Sequence, residues 1–387
     1  MDLFKTFFMG GYECADMINK KRRRVDLLSA TSHDRYVEED YRLLKTLGIY
    51  TVREGIRWSV VERDPYVYDF SEVENRIRAA QKAGIQQLWD ICHFGYPGEL
   101  TPLDPQFPER LVGVCESFTR FYRSISDEPL IIIPVNEISF VSYLSNVAAT
   151  IPFIRHSGGQ IKYQLCKALI QAIKAIKAID PAAQVMLVEP LIKVHPRNGN
   201  RITSRIHQYN EGQFEAMDMV TGRMNPELGG HPNLMDVVGF NYYYNNQWRL
   251  RGGGVCWRKE RELRNFPGLL KAAAERYGKP VVLSETGHYK EDRCDWMHQI
   301  TQECIDAMKN GVNLLGICIY PVLDRPDWDT MKYIPCGIWG YNKKTGERFE
   351  ETAYLAAVKA SMEQMEAYLQ SRQQPVVGGS RFMQDVA

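Results

Sequence analysis

The sequence predicts an α/β fold, a (β/α)₈ (TIM) barrel in a single domain, and three observations carry that prediction. Eight short apolar runs alternate with longer amphipathic stretches. Several of these runs are β-branched and lack polar alternation, as strands covered on both faces must. The opening Met9-Gly10-Gly11-Tyr12-Glu13 is not the glycine-rich turn that begins a doubly wound dinucleotide fold. The repeated βα pattern therefore points to a closed ring of parallel strands.

The candidate strands are residues 4–9, 51–55, 87–92, 130–135, 184–188, 237–241, 281–284 and 314–320. The first candidate helix, 34–47, follows Ser32 as its cap and stops at Gly48. The second, 71–83, has Ser71 as its cap and Gly84 as its stop. Helical periodicity returns at 107–124, 161–179, within 202–220, and at 267–277, 295–310 and 351–371. Residues 1–371 are thus expected to form the catalytic barrel. Residues 372–387 lose all periodicity and read as a tail or linker.

Composition narrows the function classes. By length alone, 387 residues make one large or two medium domains, since α/β barrels run beyond 200 residues as a single domain. With 48 Lys+Arg against 47 Asp+Glu the net charge is +1, which argues against a nucleic-acid binder or a polybasic membrane protein. The run Lys20-Lys21-Arg22-Arg23-Arg24 reads as a solvated loop after the first strand. Hydrophobic residues at 44% and charged residues at 25% make long disorder unexpected. No apolar run reaches the length of a membrane span. The nine cysteines are scattered without a CxxC pair, which disfavours a disulfide framework or a thiolate zinc site. Met1-Asp2-Leu3-Phe4-Lys5 lacks the basic-then-apolar start of a leader, so the expected localisation is cytoplasmic.

In such a barrel the chemistry sits at the carboxyl ends of the strands. Tyr12 and Glu13 follow strand one. Strand two carries Arg53, with Arg57 and Trp58 after it, and His93-Phe94 follow strand three. Strand four ends in Asn136-Glu137, strand six in Asn241-Tyr242-Tyr243 and strand seven in Glu285. Strand eight ends in Tyr320, followed by Asp324, Asp327 and Trp328. This rim is rich in carboxylates, aromatics and amides, and it lacks the clustered ligands of a metal-dependent hydrolase. Glu137 and Glu285 each follow an apolar strand directly. Two carboxyls across one pocket suit glycosidic cleavage, one protonating the leaving oxygen and the other attacking the anomeric carbon or activating water. Arg53 is the natural group to keep one of them ionised. Taken singly, each glutamate reads equally well as half of a strand-end ion pair. Arg57 reads as a structural partner of Glu54. Trp58 and Trp89 read as core, while Trp248, Trp257 and His288 read equally as rim packing or sugar contact.

Together these residues resemble the family 1 glycoside hydrolases, within the clan of retaining (β/α)₈ glycosidases. Val135-Asn136-Glu137 resembles the clan's Asn-Glu acid/base motif, and Ser284-Glu285-Thr286-Gly287 the family's Thr-Glu-Asn-Gly nucleophile motif. Arg53 through Trp58-Ser59 resembles Arg-x-Ser-x-x-Trp-Ser, His93-Phe94-Gly95-Tyr96-Pro97 resembles His-Trp-x-x-Pro, and Gly239-Phe240-Asn241-Tyr242-Tyr243 resembles Gly-x-Asn-Tyr-Tyr. Tyr320 through Trp328 keeps the spacing of Trp-Ser-x-x-Asp-Asn-x-Glu-Trp, and Cys336-Gly337-Ile338-Trp339-Gly340-Tyr341 lies where the family has Phe-Gly-x-x-Tyr. The motifs follow family order across about residues 4–370.

The resemblance implies a retaining β-glycosidase, β-glucosidase-like, with a carbohydrate substrate and neither metal nor organic cofactor. Glu285 would be the nucleophile and Glu137 the acid/base. Asn136 would hold the 2-hydroxyl, and Arg53 and Tyr243 would hold the nucleophile. Glu13 stands where the family has a glutamine on the 3- and 4-hydroxyls. His93, Asn241, Tyr320, Asp327 and Trp328 would complete the substrate pocket. The chain departs from the family in Glu13, in Asp327 for a glutamate, in Tyr320 for a tryptophan platform and in Ile138 for a proline. A transglycosidase, an inverting enzyme and a non-catalytic sugar-binding barrel remain open at this level, and no feature of the sequence sets an oligomeric state.

Overall fold

In the computed structural model, which describes residues 3–98, 100–197 and 201–373, eight parallel strands close into a barrel in chain order. They are β1 (Phe8–Gly11), β2 (Thr51–Gly55), β3 (Gln86–Cys92), β4 (Ile131–Val135), β5 (Gln184–Pro190), β6 (Val237–Asn241), β7 (Val281–Thr286) and β8 (Leu314–Ile319). The ring closes where β1 pairs with both β2 and β8, with Gly11 opposite Arg53 and Gly10 opposite Ile319. The helices that cover it are α1 (His33–Thr46), α2 (Ser71–Ala83), α3 (Phe107–Ile125), α4 (Ile138–Asn146), α5 (Gly158–Ile179), α6 (Ser204–Gly212), α7 (Glu215–Val220), α8 (Phe266–Tyr277), α9 (Asp292–Lys309) and α10 (Thr352–Gln373). No helix among the described residues is long and apolar enough to cross a membrane.

The strands divide their side chains by parity. Met9, Leu88, Ile131, Ile133, Met186, Val188, Val237, Val282 and Cys318 form one small cluster drawn from seven strands, the packed interior of the ring. Their neighbours Trp89, Ile132, Leu187, Val238, Val281, Leu283 and Ile317 point outward into the larger layer under the helices. This two-sided burial explains why the strands read as unbroken apolar runs.

The same parity separates two charged residues of β2. Arg53 turns into the barrel, and Glu54 turns out under α1 and α2. Glu54 receives Tyr41 Oη at 2.6 Å, Arg76 Nη1 at 2.6 Å and a His33 Nε2 contact at 2.9 Å. His33 Nδ1 reaches Asp40 at 2.7 Å, and Arg348 Nε reaches the same carboxylate at 2.6 Å. Arg57, expected to pair with Glu54, pairs instead with Asp26 at 2.6 Å and Glu72 at 2.7 Å. Arg76, one helix later, already fills the place beside Glu54. Burial raises the Glu54 carboxyl, but His33 and Arg76 outweigh it and hold it down to about 2, against 4.5 ordinarily. A lowered folded pKa stabilises the fold fully above the unfolded value and is lost as pH falls through the folded one, here from 4.5 toward about 2. The gap is worth about 3 kcal/mol. Glu54→Gln is expected to lower stability by that order at neutral pH and to flatten its dependence between those limits. Denaturant titrations followed by circular dichroism check this; parallel curves for both proteins would remove Glu54 as the acid-sensitive group.

The structure corrects several expected boundaries. β1 starts at Phe8 rather than residue 4 and runs on through Gly10-Gly11 instead of ending at residue 9. A Cβ on Gly11 would lie 2.2 Å from Tyr320 Cδ2, so glycine is what lets the ring of Tyr320 lie against this strand. Ser32 adopts φ 59° and makes no capping bond, and Ser71 is a helical residue whose amide is held by Asp69 at 3.0 Å. The helix within 202–220 is two helices, α6 and α7. The short α4, which buries Ile138, Val141, Ser142 and Ser145 on one face, was not among the predicted helices. Arg372 and Gln373 of the expected tail belong to α10, and 374–387 lie outside the described residues.

Candidate active site

Arg53 organises the mouth of the barrel. Fully buried, it directs all five N–H donors to partners from three strands, β3, β4 and β7. Nη1 donates to Glu285 Oε1 at 2.7 Å and to the Ser284 carbonyl at 3.0 Å. Nη2 donates to Asn136 Oδ1 and Asp90 Oδ2, both at 2.9 Å, and Nε to Asp90 Oδ2 at 3.1 Å. A buried guanidinium with two carboxylates is tolerable because both charges are paired and every donor is satisfied.

Glu285, on β7, has its second carboxylate oxygen on Tyr243 Oη at 2.8 Å. Glu137, at the end of β4, accepts from Asn241 Nδ2 at 2.9 Å, and Ser284 Oγ fixes that amide by donating to Asn241 Oδ1 at 2.7 Å. Both glutamates are buried. Burial, and then the neighbouring charge of Glu285, push Glu137 up to about 8. Burial also raises Glu285, but the Arg53 guanidinium works against that rise. The two carboxyls meet one set of groups at the barrel mouth, where Arg53 reaches Glu285 and Asn136 while Asn241 reaches Asn136 and Glu137; this shared space is the candidate chamber. Glu285 is ion-paired with Arg53, which also serves Asp90 and Asn136, whereas Glu137 has no cation within 4.0 Å among the described residues.

The opposite side of the chamber gathers around His93 and Glu13. His93 Nδ1 meets Asp90 Oδ2 at 2.7 Å, and its Nε2 lies 3.4 Å from Asn136 Nδ2 and 3.7 Å from Glu13 Oε1. Trp328 Nε1 reaches Glu13 Oε2 at 3.4 Å, and Arg325 Nε lies 3.3 Å from the same oxygen. Tyr320 lies parallel to the His93 ring at 5.8 Å and within 5.3 Å of the Arg53 guanidinium. Asp327 is placed differently from these. Its Oδ1 accepts from the amides of Asp329 and Thr330 and from Thr330 Oγ1, so that oxygen is committed to its own turn.

Of the residues singled out in the sequence, Glu137, Glu285, Arg53, Asn136, Asn241 and Tyr243 form one hydrogen-bonded network, with His93 joined to it through Asp90 and Glu13 beside His93. Asp324 accepts from the amides of Cys336 and Gly337 and from Tyr333 Oη, which makes it a loop anchor. Trp58 and Trp89 are core as expected. Trp257 stands edge-on to Trp296 at 5.4 Å, and His288 packs on Tyr244 at 3.9 Å. Sequence reading missed Asp90 and Arg325. A lone carboxylate inside the apolar run Gln87–Cys92 was the available signal for Asp90, whereas nothing local marks Arg325 as a neighbour of Glu13. The cluster Cys14, Asp90 and His93 is compact enough to hold a metal ion, its ligand atoms lying within 4.8 Å of one another. Arg53 already donates to the same Asp90 carboxylate, so a metal there would face a fixed positive charge.

No protein-family model matches this sequence, and no curated protein matches it. Solved structures do match. A family 1 β-glucosidase from Thermotoga maritima superposes with a TM-score of 0.69 at 15% identity, over 86% of this chain and 87% of that one. The complexes of the Thermotoga maritima β-glucosidase with azafagomine and with castanospermine give 0.69 at 16% identity over the same shares. At that identity the likeness is one of architecture: this chain is a (β/α)₈ barrel with the fold of the family 1 β-glucosidases.

Proposed function

We propose that this protein is a retaining β-glycosidase, β-glucosidase-like, that cleaves β-linked glucosides or oligosaccharides by double displacement. One observation carries the reading: a carboxylate held by a buried arginine and a tyrosine lies in one hydrogen-bonded network with a second buried carboxyl, Glu137 on Asn241, that has no cation within ion-pair distance among the described residues. In the first step a Glu285 oxygen attacks the anomeric carbon as the glycosidic C–O bond breaks, and Glu137 gives its proton to the departing oxygen. Asn136, anchored by Arg53, is positioned to hold the 2-hydroxyl, while Glu13, His93, Tyr320 and Trp328 line the sugar.

The geometry also supplies the reversal that the second step needs. The charge of Glu285 is the largest electrostatic cause of the high Glu137 pKa. In the glycosyl ester that charge is gone, so Glu137 becomes a stronger acid and, once deprotonated, is a carboxylate. It takes a proton from water as the water oxygen attacks the anomeric carbon and frees Glu285. The β-glucosidase fold and that protein's complexes with azafagomine and castanospermine support a carbohydrate substrate.

The test is covalent trapping. A dinitrophenyl 2-deoxy-2-fluoro-β-glucoside is expected to add one fluoroglycosyl group, located by peptide mass spectrometry on Glu285, while proton NMR of an unmodified aryl β-glucoside shows the β-anomer released first. A label elsewhere, or α-anomer first, overturns the assignment. Added acceptor sugar separates hydrolysis from transfer by the product formed.

A further inference from the structure

Of the glutamates at the carboxyl ends of the strands, Glu13, Glu137 and Glu285 face the barrel mouth, whereas Glu54 and Glu189 do not. Glu189 on β5 has the parity of Leu187 and so points out of the ring, beneath the first turn of α4. It is 3% exposed and lies among Val135, Ile138, Leu169, Met217 and Val220. No Lys or Arg among the described residues comes within 4.0 Å of it, since Lys162, the nearest cation to act on it, is bound to Glu215 at 2.7 Å. Among the described residues its hydrogen-bond donor is the Ser139 amide in the first turn of α4, 3.0 Å from Oε2 and 3.3 Å from Oε1, and the Ile138 amide also favours its charge. A buried carboxyl without a cation persists only where such amides and the positive end of a helix take its place.

The residue immediately before those amides is Glu137. It has φ 48° and ψ 60°, a left-handed conformation that a residue with a Cβ adopts at a cost of about 1 kcal/mol or more. Its own amide donates to the Val188 carbonyl at 3.0 Å, one residue before Glu189 on β5. The backbone of the acid/base glutamate is therefore pinned on both sides by the end of β5. We infer that Glu189 is the positioning residue of the acid/base: its carboxylate closes the N-terminus of α4 and holds Glu137 in the left-handed turn from which its carboxyl enters the chamber. The inference rests on the glycosidase reading above.

Electrostatics adds a second, smaller effect. The charge of Glu189 raises Glu137, after burial and Glu285. The groups that face Glu189 are Glu137 at the head of α4, Lys162 and Cys166 on α5 and Tyr277 at the end of α8. Burial pushes Glu189 itself up to about 7, so it carries its charge mainly above that pH, where Glu137, pushed up to about 8, is losing its proton.

Two variants test the inference. Glu189→Gln keeps an oxygen for the amides and removes the charge. It is expected to retain most turnover while the alkaline limb of kcat/KM moves to lower pH by about 0.3 unit or more. Glu189→Leu removes the acceptor. It is expected to lose roughly 100-fold on cellobiose, whose leaving group needs a proton, and less than about threefold on dinitrophenyl β-glucoside, whose leaving group does not. Equal losses on both substrates, or an unmoved limb in Glu189→Gln, overturn the inference and leave Glu189 as a structural cap. If the leucine variant does not fold, the glutamine variant decides. Glutamate-selective carbon NMR titration of Glu137 in wild type and Glu189→Gln gives the same answer without turnover, so a wild type that cleaves no β-glycoside counts against the glycosidase reading alone.

Discussion

Glu285→Gln is expected to reduce turnover of aryl β-glucosides by roughly 10⁵-fold, about 7 kcal/mol in the barrier, because an amide oxygen cannot form the glycosyl ester. The fold should not suffer. Glutamine keeps the shape and one oxygen for Arg53 Nη1, and Arg53 keeps its bonds to Asp90, Asn136 and the Ser284 carbonyl. Burial already raises Glu285, so its ionised form is held at some cost to the folded state. Calorimetry is therefore expected to show a melting temperature equal to or above wild type. Turnover within tenfold of wild type would remove Glu285 as nucleophile, and a collapse in melting temperature would mean that the Arg53–Glu285 bond is structural.

Glu137→Gln is expected to cost about 10²–10⁴-fold, with the loss graded by leaving group. Nitrophenyl and alkyl β-glucosides need the proton and lose most in the first step. A dinitrophenyl substrate reaches the glycosyl-enzyme without help, so that intermediate should accumulate and show as a burst. The pH profile gives a second signature. Wild-type kcat/KM should fall as pH rises through about 8, where Glu137 loses its proton, and this limb should be missing in the variant. The acid limb, set by protonation of Glu285, should persist in both. A variant that keeps the alkaline limb would place the acid elsewhere.

The proposed catalytic pair, Glu137 and Glu285, stood out in the sequence because a glutamate directly after a buried strand has no packing reason to be there. The same signal was present for Glu189, at the end of β5, and its outward parity is what separates it from the other two. Parity was not readable from a run such as Gln184–Pro190, apolar on both faces, until the ring fixed which residues point inward. Arg53 and Glu54 show the same limit. They are adjacent in sequence, one in the chamber and the other in an ion network under α1 and α2. The mistaken Arg57–Glu54 pair came from proximity in sequence, when the partner that matters, Arg76, lies one helix further on.

The order of eight strands, their approximate limits and the identity of the carboxylates at their ends follow from the sequence, because hydrophobic periodicity and strand-end polarity are local properties of the chain. Which carboxyl holds a proton, which is ionised by Arg53, and which residues 200 or more positions apart meet at Glu13 or Glu285 were decided only when the barrel closed. Dielectric, charge pairing and hydrogen-bond geometry depend on what surrounds a group in space, and that arrangement has no counterpart along the chain.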